Sequence, residues 1–240
     1  MLRAVTFDFW NTLMWEEPGQ LKQKRLEFWA EHLDAGPAEL ERAHDAAHRL
    51  YEESWRADRQ FRVRDAAELV TRELDLPPDA EEVLLEGFDE GGRRSAIHAS
   101  DGVGECLAAL KEAGVRIGLI SDIGLTPSYV VRELLEREDL LRFFDGMTFS
   151  DEVGCYKPTA AAFEHALESV GGVEPAAAAH VGDRLRTDVA GAREAGLISV
   201  RYNGVFEDPA TDLEEADIVV GDLAALPDAL GVSRSGARSA

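Results

Sequence analysis

Four segments of the chain carry polar side chains that could take part in catalysis at one edge of a sheet. In the first, Asp8 follows the apolar residues 4–7. A carboxylate at the end of a buried strand is costly unless the site uses it, and open parallel sheets carry their chemistry at the carboxyl ends of their strands. The later segments are Ser121-Asp122 after residues 118–120, Lys157-Pro158, and Gly182-Asp183 followed by Asp188.

The acidic residues of this set suit a reaction at phosphorus. Asp8 is the candidate nucleophile, because a carboxylate can attack phosphorus and form an acyl phosphate, which splits a slow hydrolysis into two easier steps. A negative nucleophile and a negative substrate repel each other, so the site needs positive charge. Mg²⁺ can supply that charge when oxygen ligands hold it. Asp183 and Asp188 are the candidate partners of Asp8 for the ion.

The elements that must position these residues alternate between helix and strand from residue 101 onward. The predicted helices are 103–113, 127–138, 159–170, 187–195 and 223–230. The predicted strands are 115–120, 146–150, 178–181, 198–201 and 217–220. Strands separated by helices of about 10–15 residues predict a doubly wound, parallel α/β sheet of Rossmann-like type, and the strand at residues 2–9 should join its middle.

Residues 15–98 have a different pattern, with helical periodicity over 17–33, 38–56, 63–74 and 81–91 and no convincing strand. We therefore predict a core domain of residues 1–14 and 99–232, an inserted all-helical cap domain of residues 15–98, and a disordered tail at residues 233–240. His44 and His48 stand four residues apart in the insertion. Because no acidic residue completes a zinc motif with them, we expect both at the surface.

The order and spacing of these motifs, over residues 1–14 and 101–230, resemble the haloacid dehalogenase-like (HAD) hydrolases. The resemblance implies that Asp8, the main-chain oxygen of Trp10 and Asp183 bind Mg²⁺. It also implies that Asp188 assists, either directly or through a water molecule.

The same resemblance assigns roles to four further residues. Ser121 would donate its hydroxyl to a phosphoryl oxygen, and Lys157 would neutralise charge and orient Asp8. Thr12 would close the first turn by hydrogen bonding. Asp122 stands where the family commonly has Asn, a change that alters a hydrogen bond in the pocket without removing the phosphate contact.

The chain departs from the family at Trp10. The first motif of the family reads Asp-x-Asp-x-Thr, and its second Asp protonates the leaving oxygen and later activates water. The indole of Trp10 can do neither, and loss of a general acid–base typically lowers a rate about a hundredfold to ten-thousandfold. Trp10 would instead shape the pocket.

Three functions stay open at this point. The first, favoured by the intact Asp183, Asp188, Lys157 and Ser121, is a magnesium-dependent phosphatase of a small metabolite. It would prefer leaving groups that need no proton, or borrow an acid from the cap or the substrate. The second is a 2-haloacid dehalogenase, in which halide leaves without a proton and the position of Trp10 is aromatic, although paired acids are unwelcome beside a negative substrate. The third is a ligand-binding protein of the same fold, with Trp10 plugging the site.

The composition argues against several kinds of partner. Lys and Arg number 25 against 47 Asp and Glu, a formal net charge of −22, which disfavours a nucleic-acid-binding surface and anionic membranes. No apolar stretch approaches the roughly 20 residues of a membrane span, and residues 1–10 lack the pattern of a secretory signal. We therefore expect a cytoplasmic monomer or homodimer that acts on a small molecule.

Overall fold

The computed structural model describes residues 1–210 and 212–232, and it divides into two compact units. The core unit comprises residues 1–15, residues 98–121 and the residues described from 138 onward. The helical unit comprises residues 16–97 and 122–137. The tail predicted at residues 233–240 lies outside the described residues.

The core unit is built on a six-stranded parallel sheet. The strands of the described residues are β1 Ala4–Phe7, β2 Met14–Glu16, β3 Ile97–Ala99, β4 Arg116–Ser121, β5 Gly146–Phe149, β6 Ala178–Gly182, β7 Ile198–Tyr202 and β8 Ile218–Val220. The order in the large sheet is β5-β4-β1-β6-β7-β8, and each neighbouring pair is parallel. Every residue of β1 is buried, as expected for a central strand with both faces covered. The predicted doubly wound α/β sheet, with the first strand in its middle, is confirmed.

Some of the helices belong to the core unit with the sheet, and the others form the helical unit. The helices of the described residues are α1 Gln20–His32, α2 Pro37–Arg56, α3 Val63–Glu73, α4 Ala80–Arg94, α5 Val103–Glu112, α6 Ser128–Arg137, α7 Ser150–Val153, α8 Ala160–Ser169, α9 Ala190–Glu194 and α10 Leu226–Ala229. The apolar face of α8 packs Phe163, Ala166 and Val170 against the sheet residues Ile120 and Ala178. In the described part of the chain, no helix is both long and apolar enough to cross a bilayer.

The helical unit has its own apolar core, formed by the facing sides of α1 to α4. Trp29 lies at its centre, fully buried, with its indole N–H donating to the carbonyl oxygen of Leu84 at 3.2 Å. The Phe88 ring meets the indole edge-on, 5.1 Å between ring centroids. Phe28 and Phe61 complete the buried aromatic set. The apolar residues that recur along these helices therefore form a second hydrophobic core.

Residues 122–137, which the sequence assigns to the core domain, group instead with the helical unit. Arg25 of α1 gives the physical reason. Its buried guanidinium donates from Nη2 to the carbonyl oxygen of Leu125 at 3.1 Å and to the Thr126 hydroxyl at 2.8 Å. The alternating pattern predicts that α6 is a helix but carries no information on which unit the helix packs against.

Two strands and two helices also differ from the sequence prediction. β2 and β3, which pair in a separate two-stranded sheet, are too short to show the alternation that marks a strand. The helix predicted at 187–195 is a π-helical turn at Leu185–Val189 followed by α9. The helix predicted at 223–230 begins as a 3₁₀ turn at Leu223–Ala225 and continues as α10.

His44 is buried in the helical unit, contrary to the surface position expected from the sequence, whereas His48 is half exposed. Neither ring nitrogen of His44 has a hydrogen-bond partner among the described residues. Burial, followed by the positive charge of Arg25, lowers the pKa of His44 to about 3. The ring packs beside Trp29, 5.8 Å between ring centroids. His44 is therefore a neutral core residue.

We expect His44→Leu to protect the protein against acid. The unfolded chain takes up a proton at this position near pH 6.5 and the folded chain only near pH 3. Between these values the unfolded state binds more protons. The free energy of unfolding of the wild type therefore falls as the pH falls, by about 1.4 kcal/mol per pH unit. The His44→Leu variant has no titratable group at this position, so its free energy of unfolding should not fall for this reason.

Urea unfolding at about pH 7 and about pH 5 measures the difference. His48→Leu, at an exposed position of the same helix, is the matched control and should change stability little. Equal losses on acidification in His44→Leu and the wild type would contradict the prediction.

Candidate active site

Asp8, Ser121 and Asp183 stand at the carboxyl ends of three neighbouring strands. Asp8 follows β1, Ser121 ends β4 and Asp183 follows β6. Because β1 lies between β4 and β6 and all three are parallel, these residues reach the same edge of the sheet. The backbone N–H of Asp8 still donates to the sheet, to the carbonyl oxygen of Val181 at 2.8 Å. All three side chains are buried.

The turn after Asp8 is closed by the main chain. The backbone N–H groups of Leu13 and Met14 both donate to the carbonyl oxygen of Phe9 at 3.0 Å. The hydroxyl of Thr12 is buried and has no hydrogen-bond partner among the described residues. The structure therefore assigns the closing of this turn to backbone hydrogen bonds, in place of the Thr12 side chain expected from the sequence.

Trp10 and Asn11 are the partly exposed residues of this turn. Trp10 is half-buried, packs edge-on against Phe9 at 4.8 Å between ring centroids, and forms an isolated backbone bridge with Met14. Asn11 has a φ of 57°, which asparagine tolerates better than most residues. Its side-chain N–H₂ points to Oδ2 of Asp183 at 3.5 Å. Asn11 is thus a site residue that the sequence analysis missed, although its positive-φ preference could have marked the turn.

Lys157 joins two buried carboxylates. Its Nζ lies 2.5 Å from Oδ1 of Asp8 and 2.6 Å from Oδ1 of Asp188. The lysine side chain is only 2% exposed. A buried ion pair stabilises a site only when its geometry is good and its remaining polar atoms are satisfied. Here the ammonium group fixes the carboxylate of Asp8 and offsets part of its charge.

Both oxygens of Asp188 are already engaged by protein groups. Oδ1 accepts hydrogen bonds from Lys157 at 2.6 Å and from His180 Nε2 at 3.0 Å. Oδ2 accepts from the Arg184 backbone N–H at 3.0 Å and from the Thr187 hydroxyl at 3.3 Å. Burial opposes ionisation of Asp188, but Lys157 and His180 outweigh it and hold the pKa below its usual range. Direct metal coordination would displace some of these bonds, so contact through water suits Asp188 better.

The backbone brings Asp188 unusually close to the end of β6. The π-helical turn at Leu185–Val189 turns the side chain inward, and such wide turns are frequent at functional sites. Gly182 makes the approach sterically feasible, because a Cβ at this position would lie 2.2 Å from Cγ of Asp188. The Gly-Asp pair that ends β6 is therefore required by packing as well as by chemistry.

His180 is the second residue that the sequence analysis missed. It lies within β6, fully buried, with Nδ1 2.8 Å from the Thr6 hydroxyl oxygen and Nε2 3.0 Å from Oδ1 of Asp188. Because the ionised Asp188 can only accept, Nε2 carries the proton and Nδ1 accepts from Thr6. Burial lowers the pKa of His180, so the ring is neutral. His180 could have been found from the sequence, because it is a titratable residue inside an otherwise apolar strand.

The carboxylate cluster has more negative charge than its neighbours compensate. Oxygens of Asp8, Asp183 and Asp188 all lie within 4.8 Å of one another. Lys157 contacts two of them, and the side chain of Arg184, which is 43% exposed, comes only within 4.0 Å of Asp183. Burial, followed by the charges of Asp8 and Asp188, raises the pKa of Asp183 well above its usual range. A set of hard oxygen donors short of positive charge fits a cation such as Mg²⁺.

The hydroxyl of Ser121 is buried and has no hydrogen-bond partner among the described residues. An unsatisfied buried hydroxyl is destabilising, and a ligand oxygen at this position would relieve the cost. Asp122, the next residue, falls in the helical unit, where its Oδ2 accepts from the Trp55 indole N–H at 2.8 Å. The Asp122 carboxylate is therefore hydrogen-bonded to Trp55. The pocket role expected for Asp122 stays a prediction.

This fold and this arrangement of acids, lysine and serine match a known class of proteins. A family model described as haloacid dehalogenase-like hydrolase matches residues 2–196. The chain therefore belongs to the haloacid dehalogenase-like hydrolase family, and the resemblance noted from the sequence is confirmed.

Curated relatives with phosphatase names match part of the chain. The glyceraldehyde 3-phosphate phosphatase of Methanothermobacter thermautotrophicus is 34% identical over 128 residues, 52% of this chain and 55% of the relative. The phosphoglycolate phosphatase of Agrobacterium fabrum is 31% identical over 163 residues, 66% of this chain and 67% of the relative. The chain spans about half the length of the first of these relatives.

Two solved structures cover nearly the whole chain and carry names for two different reactions. A HAD phosphatase from Thermococcus onnurineus has a TM-score of 0.66 and 26% identity, covering 97% of this chain and 100% of its own. A 2-haloacid dehalogenase from Pseudomonas syringae pv. tomato DC3000 has a TM-score of 0.75 and 25% identity, covering 96% of this chain and 99% of its own. The choice between the two reactions must therefore come from the residues of the site.

Proposed function

We propose that this protein is a magnesium-dependent phosphatase of a small phosphorylated metabolite, acting through an aspartyl-phosphate on Asp8. One observation carries the proposal: Lys157 fixes Asp8 within a buried carboxylate cluster that has more negative charge than its neighbours compensate. The Ser121 hydroxyl at the same sheet edge, which has no hydrogen-bond partner within the described part of the chain, supports it. The names of the matched relatives, which act on small phosphorylated molecules, agree with this class of substrate.

Each residue would have one task in the reaction. Asp8 would attack phosphorus, with Lys157 holding its carboxylate in place. Ser121 would donate to a non-bridging phosphoryl oxygen. Asp8, the main-chain oxygen of Trp10 and Asp183 would hold Mg²⁺, with Asp188 acting through water. When bound, the ion supplies positive charge that offsets the repulsion between the phosphoryl group and the carboxylates.

A 2-haloacid dehalogenase is the second candidate, because Trp10 is aromatic and the fold is similar to that of the Pseudomonas syringae enzyme. In that reaction Asp8 would attack carbon and halide would leave. The substrate carries a carboxylate, however, which would approach Asp183 and Asp188 with their uncompensated charge. We therefore rank this function below the phosphatase.

Two parallel assays separate these candidates. The first follows p-nitrophenyl phosphate with added Mg²⁺ and with the metal removed by a chelator. The second follows chloride release from 2-chloropropionate under the same conditions. The proposal predicts metal-dependent phosphate release and no chloride release. The reverse pattern would assign the protein as a dehalogenase, and inactivity in both assays would favour a ligand-binding protein.

We expect His180 to act as a positioning residue in this reaction. Its Nε2–H holds Asp188, and Asp188 shares Lys157 with Asp8. His180→Phe keeps an aromatic ring beside Phe163 but removes the donor. It should lower kcat on p-nitrophenyl phosphate roughly tenfold to a hundredfold, as loss of residues that orient a metal site typically does, with little change in KM.

His180→Gln is the control for this prediction, because its side-chain N–H₂ can reach Asp188 and should restore most of the rate. Thermal unfolding of both variants checks that the fold is kept. Equal rates in His180→Phe and His180→Gln, with both variants folded, would show that the ring only fills space.

A further inference from the structure

A short turn after β6 connects two of the clustered carboxylates. Asp183 precedes this turn, and Asp188 lies within its π-helical residues Leu185–Val189. The backbone N–H of Val189 donates to the carbonyl oxygen of Arg184 at 3.1 Å and closes the turn. The N–H groups at the start of a helical turn need partners from outside its own backbone bonds. The groups that provide those partners therefore help to fix where Asp188 stands.

Asp208 provides the partner for the first residue of the turn from a different part of the chain. Its Oδ2 accepts from the backbone N–H of Leu185 at 2.8 Å, across a sequence separation of 23 residues. Its Oδ1 accepts from the backbone N–H of Ala210 at 2.9 Å, which fixes the carboxylate on its own loop. A side-chain oxygen that accepts from the start of a helical turn stabilises that turn. Asp208 therefore joins the loop after β7 to the turn that carries Asp188.

This loop, residues 203–210 and here named the bracing loop, makes a second contact with the same turn. Cζ of Arg184 lies over the ring of Phe206, 4.8 Å from its centroid. Such a stacking of a guanidinium on an aromatic face is attractive. Arg184 and the residue after it are thus both held by the bracing loop, between Asp183 and Asp188 in the chain.

The bracing loop is itself attached to the sheet. The carboxylate of Glu207 accepts from Nη1 of Arg201 at 2.9 Å and from the side-chain N–H₂ of Asn203 at 3.2 Å. Arg201 belongs to β7, which neighbours β6, and its side chain is only 8% exposed. These contacts involve neither carboxylate of the cluster, so the sheet supports the bracing loop on its own.

We propose that Asp208 is a positioning residue for the metal site, an extension of the phosphatase function proposed above that rests on it. By accepting from Leu185, Asp208 holds the turn that places Asp188 beside Asp183. It acts through the backbone of the turn and not by touching substrate or metal. Without this hydrogen bond the turn is less well ordered before Mg²⁺ binds. Part of the binding free energy is then used to order it, and the affinity falls.

Calorimetric titration with Mg²⁺ alone, in the absence of substrate, measures this effect. Asp208→Ala should raise the Kd for Mg²⁺ about tenfold to a hundredfold, the range typical for residues that orient a metal site from outside it. Asp208→Asn removes the charge but keeps a side-chain oxygen for the Leu185 N–H, so it should restore most of the affinity. Equally weak binding by the two variants would overturn the proposal, because the charge of Asp208 rather than its hydrogen bond would be the cause.

Asp222→Ala is the matched control. Oδ1 of Asp222 accepts from the backbone N–H of Ala224 at 2.9 Å, at the 3₁₀ turn Leu223–Ala225, which carries none of the proposed site residues. Both alanine variants should lower the Tm by about 2–4 °C, but only Asp208→Ala should weaken Mg²⁺ binding.

Two results would overturn the role of Asp208 and leave the phosphatase function in place. One is a Kd for Mg²⁺ in Asp208→Ala equal to that of the wild type, and the other is an equal weakening in Asp222→Ala. Absence of Mg²⁺ binding by the wild type would instead overturn the metal dependence of the proposed function itself.

Discussion

Replacing Asp8 by Asn should abolish hydrolysis of p-nitrophenyl phosphate, with a loss of at least about ten-thousandfold in kcat. The amide has the shape of the carboxylate but is not nucleophilic, so no aspartyl-phosphate can form. The fold should survive, because Lys157 keeps its contact with Asp188 at 2.6 Å. Initial rates with added Mg²⁺, together with thermal unfolding of both proteins, measure the two effects.

A matched control for this variant is Asp139→Asn, at an exposed acid of the core unit whose carboxylate pairs with Arg142 at the surface. It should keep the rate of the wild type. A folded Asp8→Asn variant that retained a substantial fraction of the rate would show that another residue accepts the phosphoryl group.

Replacing Lys157 by Met should reduce both stability and activity. The change leaves the carboxylates of Asp8 and Asp188 buried without their shared cation, and breaking such a buried pair typically costs about 3–5 kcal/mol. Activity on p-nitrophenyl phosphate should fall by about a hundredfold or more, because Asp8 loses the group that orients it.

The destabilisation by Lys157→Met should shrink as the pH falls. In the wild type the pKa of Asp188 is held below its usual range, so its contribution is present above the pKa of the unfolded chain and is lost in acid. Without the lysine, the pKa of this carboxyl in the folded variant should lie higher than in the folded wild type, so acid costs the variant less stability.

Urea unfolding at about pH 7 and about pH 4 measures this trend. Lys111→Met is the control, because Lys111 is a partly exposed lysine of the same unit paired with Asp145 at 2.9 Å. It should cost at most about 1 kcal/mol and leave activity intact. Equal effects of the two lysine substitutions would contradict the role assigned to Lys157.

The sequence was sufficient to predict the sheet and the residues at its edge. Asp8, Ser121 and Asp183 each follow an apolar run, and parallel strands bring such ends together regardless of their separation along the chain. The sequence also predicts that α6 is a helix, because local periodicity determines the type of an element. It does not predict that this helix packs in the helical unit, since the buried Arg25 contacts that hold residues 125 and 126 are long-range.

The sequence motifs do not predict which other side chains contact the predicted site residues. His180 reaches Asp188 only because the π-helical turn folds Asp188 back onto β6, and Gly182 leaves space for it. His44 is a polar residue that lies buried in the helical unit, and its four-residue spacing from His48 does not predict this burial. In each case the missing information is a contact between elements, which the local pattern does not contain.

If Asp8 accepts a phosphoryl group during turnover, the aspartyl-phosphate can be trapped on the protein. The wild type would be mixed with acetyl phosphate and Mg²⁺, quenched in acid within the first turnover, and digested for peptide mass analysis, with Asp8→Asn treated in parallel. We predict one added phosphoryl group on the peptide containing Asp8 in the wild type and none in the variant. Turnover of acetyl phosphate with the phosphoryl group on a different residue would show that Asp8 is not the nucleophile.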